Sequence, residues 1–182
     1  MRLGIYVGSF NPVHKGHISV VNYLLENKYV DQILIVPTLN YWDKQDLIDI
    51  NSRIAMLKFY ENDQIKIDTK HNEYIYTIEL LEELKKEYPN EDLYLILGAD
   101  NMINFDKWKR YQDLLKYQII VMNRDNIDVD KYIKKLDCKN ILVINDYPFI
   151  HISSTEIRKN INTKYLDSKV INYIKENNLY QE

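Results

Sequence analysis

Six short apolar runs recur along the chain: Leu3-Gly-Ile-Tyr-Val7, Gln32-Ile-Leu-Ile-Val36, Ile65-Lys-Ile67, Leu93-Tyr-Leu-Ile-Leu97, Gln118-Ile-Ile-Val-Met122 and Ile141-Leu-Val-Ile144. Several are continuous rather than alternating, the pattern of strands covered on both faces. The segments between them carry helical spacing. Ile18, Val21, Leu24 and Leu25 fit one face, as do Ile54, Leu57 and Phe59. Ile78, Leu81 and Leu84 make another, stopped by Pro89-Asn90. Ile133 and Leu136 mark a short helix, and two more are expected from about Glu156 to Ile161 and from Ser168 to Glu176. Strand and helix in alternation predict an α/β fold, a doubly wound parallel sheet of Rossmann-like type. No repeat or composition break divides the 182 residues. The chain therefore reads as one domain, 1–182, with C-terminal helices from about residue 153.

In such folds ligands bind beyond the carboxyl ends of the strands. That rule selects four segments: Gly8 to His17, the loop from Thr38 to Ile50, Gly98-Ala-Asp100 with its sequel, and whatever follows the sixth strand. A net charge of -3 argues against a nucleic-acid partner, while leaving room for a local positive pocket that takes a small polyanion. Cys138 is the single cysteine, so an intrachain disulfide is ruled out and a reducing compartment is expected. Neither a leader pattern nor a bilayer-length apolar run is evident, and the expected setting is cytoplasmic, away from membranes. The sequence leaves the oligomeric state open, a homo-oligomer included.

The first selected segment reads Gly8-Ser9-Phe10-Asn-Pro-Val-His14-Lys-Gly16-His17. A glycine at the strand end lets a ligand approach the backbone closely. Asn11-Pro12 reads as a turn, with a helix starting near Val13 or His14. Histidines three apart share a helix face. At a helix start they add two donors to an anion site, and the anion offsets the cost of a protonated ring at the positive end. The simpler alternative is a hydrogen-bonded surface pair. Zinc fits poorly, because helical metal pairs more often use a spacing of four and no Cys or acidic cluster completes the set.

The second segment is Ile152-Ser153-Ser154-Thr155-Glu156-Ile157-Arg158. Ser153 with Glu156 is a capping box. Ser154 and Thr155 add hydroxyls at the helix start. Arg158, one turn in, offers a planar fork matched to phosphate oxygens. In the middle of the chain, Asp100 reads as a helix cap or a ligand group, Trp108 as packing or a stacking surface, and Thr77 as an N-cap or a contact.

The stretch from Gly8 to His17 resembles the nucleotidyltransferase superfamily signature His-x-Gly-His. Its longer form resembles the nicotinate (or nicotinamide) mononucleotide adenylyltransferases. Ile152 to Arg158 is similar to that family's Ile-Ser-Ser-Thr-x-Ile-Arg motif, and Gly98-Ala-Asp100 through Trp108 to its Gly-Ala-Asp and tryptophan pattern. The family's usual Pro-Pro-His-Lys stands here as the run from Pro37 to Lys44, which keeps the lysine, and its Arg-Pro-Gly as Arg124-Asp-Asn.

The resemblance implies transfer of AMP from ATP to nicotinate mononucleotide, giving deamido-NAD and pyrophosphate. Catalytic roles fall on His14, His17 and Lys44. ATP binding falls on Gly8, Ser9, Phe10, Gly16, Ser153, Ser154, Thr155 and Arg158. Mononucleotide binding falls on Tyr76, Thr77, Gly98, Asp100, Trp108, Lys109 and Arg124. Mg²⁺ is expected to arrive on the ATP, held by substrate oxygens and water rather than by the protein. The alternatives are nicotinamide mononucleotide as acceptor, a sister phosphopantetheine adenylyltransferase or cytidylyltransferase, and a non-catalytic nucleotide sensor. Trp108 after Gly98-Ala-Asp100 speaks against the sister enzymes, and intact His14, His17 and Arg158 against the sensor.

Overall fold

A computed structural model of the chain describes residues 1–39, 47–160 and 163–181. Six strands form one parallel sheet: β1 (Arg2–Gly8), β2 (Gln32–Pro37), β3 (Ile65–Ile67), β4 (Asp92–Gly98), β5 (Gln118–Met122) and β6 (Ile141–Ile144), in the order β3-β2-β1-β4-β5-β6. Each lies where an apolar run predicts it. The helices are α1 (Lys15–Glu26), α2 (Ile50–Lys58), α3 (Thr77–Glu87), α4 (Tyr111–Leu114), α5 (Val129–Ile133), α6 (Ser154–Asn160) and α7 (Ser168–Glu176). The four-residue α4 and the single 3-10 turns around it at Ala99–Met102 and Phe105–Lys107 are too short to carry a periodic signal. Ile161, expected to end a helix, lies outside the described residues.

The two faces of the sheet bury different side chains of the same strands. Ile33, Ile35, Ile96, Ile120 and Ile144 pack against Val20, Val21 and Leu24 of α1, Met56 and Leu57 of α2, Ile157 of α6 and Val170 and Ile174 of α7. Ile5, Leu34, Val36, Leu95 and Val121 face Ile78, Leu81 and Leu84 of α3, Leu114 of α4 and Val129 of α5. Residues i and i+2 of a strand share a face, so a continuous apolar run feeds both layers. Helix α2 departs from its expected face. Phe59 follows the helix as its C-cap, 39% exposed and edge-on to Tyr173, while Arg53 turns inward.

Strand order reverses between β1 and β4: the chain winds outward through β2 and β3, then crosses back to β4 beside β1. Both strands end in glycine, Gly8 and Gly98, at the crevice where such sheets bind ligands.

Candidate active site

At the end of β1 the backbone doubles back. Phe10 sits at φ 47°, a left-handed conformation unusual for a bulky residue, and its ring is buried. A Cβ on Gly8 would lie 3.1 Å from that ring, so the missing side chain makes room for Phe10 as well as for a ligand. Phe10 packs edge-on against Tyr6, at 5.3 Å between centroids, and His17, at 4.9 Å.

The two histidines cap α1 reciprocally. His17 N–H donates to His14 Nδ1 (3.3 Å) and His14 N–H donates to His17 Nδ1 (3.1 Å). The helix thus starts at Lys15, one or two residues later than expected, with His14 as its N-cap. Their rings stack at 3.7 Å between centroids. With each Nδ1 accepting, a neutral ring carries its proton on Nε2, so the cap assigns the tautomer. Gly16 is needed for this arrangement, because a Cβ there would come within 2.8 Å of His14 Cε1.

Burial, helped by the Arg124 charge and opposed by Glu156, lowers the His14 pKa to about 4. The cost of an imidazole at a positive helix end is therefore met in two ways. An anion is the expected one; the structure adds a neutral ring that accepts, as an Asp or Ser cap does. Below the ordinary value of 6.5 the unfolded chain takes up a proton that folded His14 refuses. This ring's contribution to stability is complete above that pH and falls by up to roughly 3 kcal/mol as pH drops towards 4. Urea unfolding of wild type and His14→Asn across this range checks it: the wild type loses more stability, whereas equal slopes would contradict the assignment.

The second motif closes on the first. Ser153 and Glu156 form the expected capping box, with Ser153 N–H on Glu156 Oε2 (2.9 Å) and Glu156 N–H on Ser153 Oγ (3.2 Å). Ser154 Oγ donates to the Pro12 carbonyl at 2.9 Å, and Arg158 Nη1 to the Asn11 carbonyl at 2.8 Å. Arg158 Nη2 reaches Thr155 Oγ1 at 3.3 Å. Two segments more than 140 residues apart in sequence thus share one wall.

Across the crevice, Arg124 donates through Nη2 (2.7 Å) and Nε (3.2 Å) to Asp100 Oδ1. Asp100 pairs with Arg124 rather than capping a helix. Gly98 lies beneath the pair, where a Cβ would meet Asp100 Oδ1 at 2.7 Å. Trp108 leans on Phe105 at 5.3 Å between centroids and also lines the cleft, so packing and access coexist.

These groups line one cleft of about 1030 Å³, room for two nucleotides rather than one small molecule. Its walls include Gly8, Ser9, Phe10, His14, Gly16, His17, Thr77, Gly98, Asp100, Trp108, Arg124, Ser153, Ser154, Thr155 and Arg158. Tyr76 is the N-cap of α3, without a side-chain cap bond, and lines a smaller adjoining pocket together with Thr77. Lys109 is not brought to the cleft: its ammonium pairs with Glu79 at 2.6 Å and lies over the Tyr76 ring. Lys44 lies outside the described residues.

Tyr6, Tyr147, Phe149 and His151 also line the cleft, and the sequence reading did not single them out. Tyr6 is one apolar position among five in its run; the other three follow the sixth strand, a segment selected without naming residues. Among the described residues no cluster of three His, Cys, Asp or Glu side chains is placed to hold a metal ion. No helix among them is long and apolar enough to cross a membrane.

The family model that matches the chain is described as cytidylyltransferase-like and covers residues 5–160. A Flavobacterium johnsoniae protein named "Probable nicotinate-nucleotide adenylyltransferase" is 34% identical over 194 residues, covering 100% of both chains. One of the same name from Acholeplasma laidlawii is 37% identical over 189 residues, covering 98% of this chain and 97% of its own. Among solved structures, the nicotinic acid mononucleotide adenylyltransferase of Plasmodium falciparum complexed with NaAD superposes with a TM-score of 0.82 at 28% identity, covering 98% of this chain and 97% of that one. Its complex with APC gives 0.78.

Proposed function

Because the chain belongs to the nicotinate-nucleotide adenylyltransferases, within the cytidylyltransferase-like family, we infer that it moves the adenylyl group of ATP onto nicotinate mononucleotide, releasing pyrophosphate. It is a nucleotidyltransferase of NAD biosynthesis. The observation that carries the reading is the junction of the two terminal motifs, where Ser154 and Arg158 bond the Pro12 and Asn11 carbonyls so that both motifs line one cleft with Trp108.

The acceptor's 5′-phosphate oxygen attacks the α-phosphorus of ATP. The bond from that phosphorus to the bridging oxygen breaks, and pyrophosphate carries the electrons away. The acceptor phosphate is already ionised near neutral pH, so no base is required. The obstacle is repulsion between two polyanions and charge gathering on the leaving group, which positioning and preorganised donors reduce. In this reading the Nε2 protons of His14 and His17 serve the α-phosphate. Arg158 and Thr155 serve the leaving phosphates. Ser154, whose hydroxyl proton is committed to Pro12, holds the wall. Mg²⁺ carried on the ATP oxygens would offset part of the phosphate charge, with no cluster of protein ligands among the described residues placed to hold it. The Asp100–Arg124 pair and Trp108 receive the acceptor.

A panel of ATP or CTP with nicotinate mononucleotide, nicotinamide mononucleotide or phosphopantetheine, followed by pyrophosphate release, tests this. Fastest release is expected for ATP with nicotinate mononucleotide. No release with any pair, or a preference for phosphopantetheine, overturns it. Trp108→Ala is expected to raise KM for the mononucleotide roughly tenfold, the scale of aromatic stacking on a base. KM for ATP should stay as it was; equal weakening of both substrates would remove the stacking role.

A further inference from the structure

Arg53 of α2 is the bulkiest fully buried side chain, 1% exposed. Among the described residues it forms no ion pair. Asp49, a nearby carboxylate, is engaged as the N-cap of α2 on Ser52. A buried cation without a carboxylate is a poor way to fill a core, where an apolar side chain of similar size is usually at least as stable. Something other than packing accounts for a guanidinium at this place.

Its hydrogen bonds point to what that is. Nη1 donates to the carbonyls of Ser9 (2.8 Å) and Thr38 (2.7 Å), and Nε to that of Ile48 (3.1 Å). Ser9 lines the cleft, and its carbonyl belongs to the peptide group whose N–H is that of Phe10, the residue held at φ 47°. Thr38 and Ile48 flank residues 39–47, the stretch that contains Lys44. Thr38 N–H is itself bonded to the Gly8 carbonyl at 2.9 Å. One rigid fork therefore ties the floor beneath the histidines to the backbone at Thr38 and at Ile48. From the other side, Arg158 holds the Asn11 carbonyl and the Tyr180 hydroxyl donates to Asn11 Oδ1 at 2.7 Å. The turn from Ser9 to Asn11 is thus gripped between two guanidiniums.

We propose that Arg53 is a positioning residue for adenylyl transfer, holding the Ser9–Phe10 peptide in register with the backbone at Thr38 and Ile48 and placing a buried positive charge one peptide group behind the bound phosphates. This rests on the transfer reading above. The charge acts at short range in a poorly screened interior, and a hydrogen bond to the Ser9 carbonyl polarises the adjoining N–H as a donor. Asp49 offers this cation some opposing charge, and a bound triphosphate adds more.

Two substitutions separate geometry from charge. Arg53→Lys keeps the charge, but one ammonium cannot span carbonyls that the fork reaches from Nε and Nη1. Arg53→Gln keeps a donor and removes the charge. With folding checked by circular dichroism and melting, kcat of Arg53→Lys should fall by roughly a hundredfold, the scale of a small misplacement of reacting groups. Its KM for the mononucleotide should stay within about threefold of wild type, a split that general loosening would not produce. Arg53→Gln should show the same loss in kcat and a raised KM for ATP.

A folded Arg53→Lys with wild-type kcat overturns the proposal, as does a loss that matches the unfolded fraction. If neither variant folds, Arg53 serves the fold alone and the proposal fails. Wild-type turnover in the same assay keeps the two readings apart. An inactive wild type overturns adenylyl transfer and this proposal with it, whereas an active wild type beside an unaffected Arg53→Lys overturns only the role of Arg53.

Discussion

His17→Ala lowers kcat by roughly a hundredfold or more, the scale of removing one preorganised donor to a transition-state oxyanion. The ring is held from every side. His14 stacks on one face, Phe10 packs edge-on, and the His14 N–H fixes Nδ1, which leaves Nε2 to carry the proton. A donor set this firmly needs no reorganisation when charge builds on the phosphate. Alanine also removes half of the reciprocal cap of α1, a loss of about 1 kcal/mol that a core of this size tolerates. His17→Gln separates the two effects, since glutamine at that helix position completes a capping box. It should melt like the wild type and still lose turnover. Normal kcat in either folded variant would remove His17 from the chemistry.

Arg158→Ala is the second large effect, a fall of about a hundredfold in kcat/KM for ATP. Its guanidinium joins α6 to the Asn11 carbonyl and to Thr155 while forming part of the cleft wall. Removing it withdraws a charge from the side assigned to the leaving phosphates and loosens the junction between the motifs. Arg158→Lys should recover little, because an ammonium cannot bond carbonyl and phosphate in the same planar fork. Varying ATP at saturating mononucleotide measures the effect. A change confined to the mononucleotide KM would show that Arg158 sits on the wrong substrate.

Much of this architecture is legible in the residues. Ile65 to Ile67, Gln118 to Met122 and Ile141 to Ile144 are strands with the bounds their apolar runs predict, and Ser168 to Glu176 is a helix with its expected ends. The Ser153–Glu156 box is likewise local, four residues written side by side. Lys109 shows how far such local reading reaches. Beside Trp108 it shares the motif, yet Glu79 on α3 draws it away, and that carboxylate is 30 positions distant.

By itself, then, the sequence determined the strands, most of the helices and the two motifs at Gly8 to His17 and Ile152 to Arg158. Hydrophobic period, caps and turns act over a few residues, and their causes lie within the same window. Tertiary structure alone decided that Ser154 and Arg158 meet Pro12 and Asn11, that His14 is a buried neutral cap, and that Arg53 braces the cleft floor from behind. Those outcomes depend on burial and on charges acting through space, and both are set by which segments the folded sheet brings together rather than by their order along the chain.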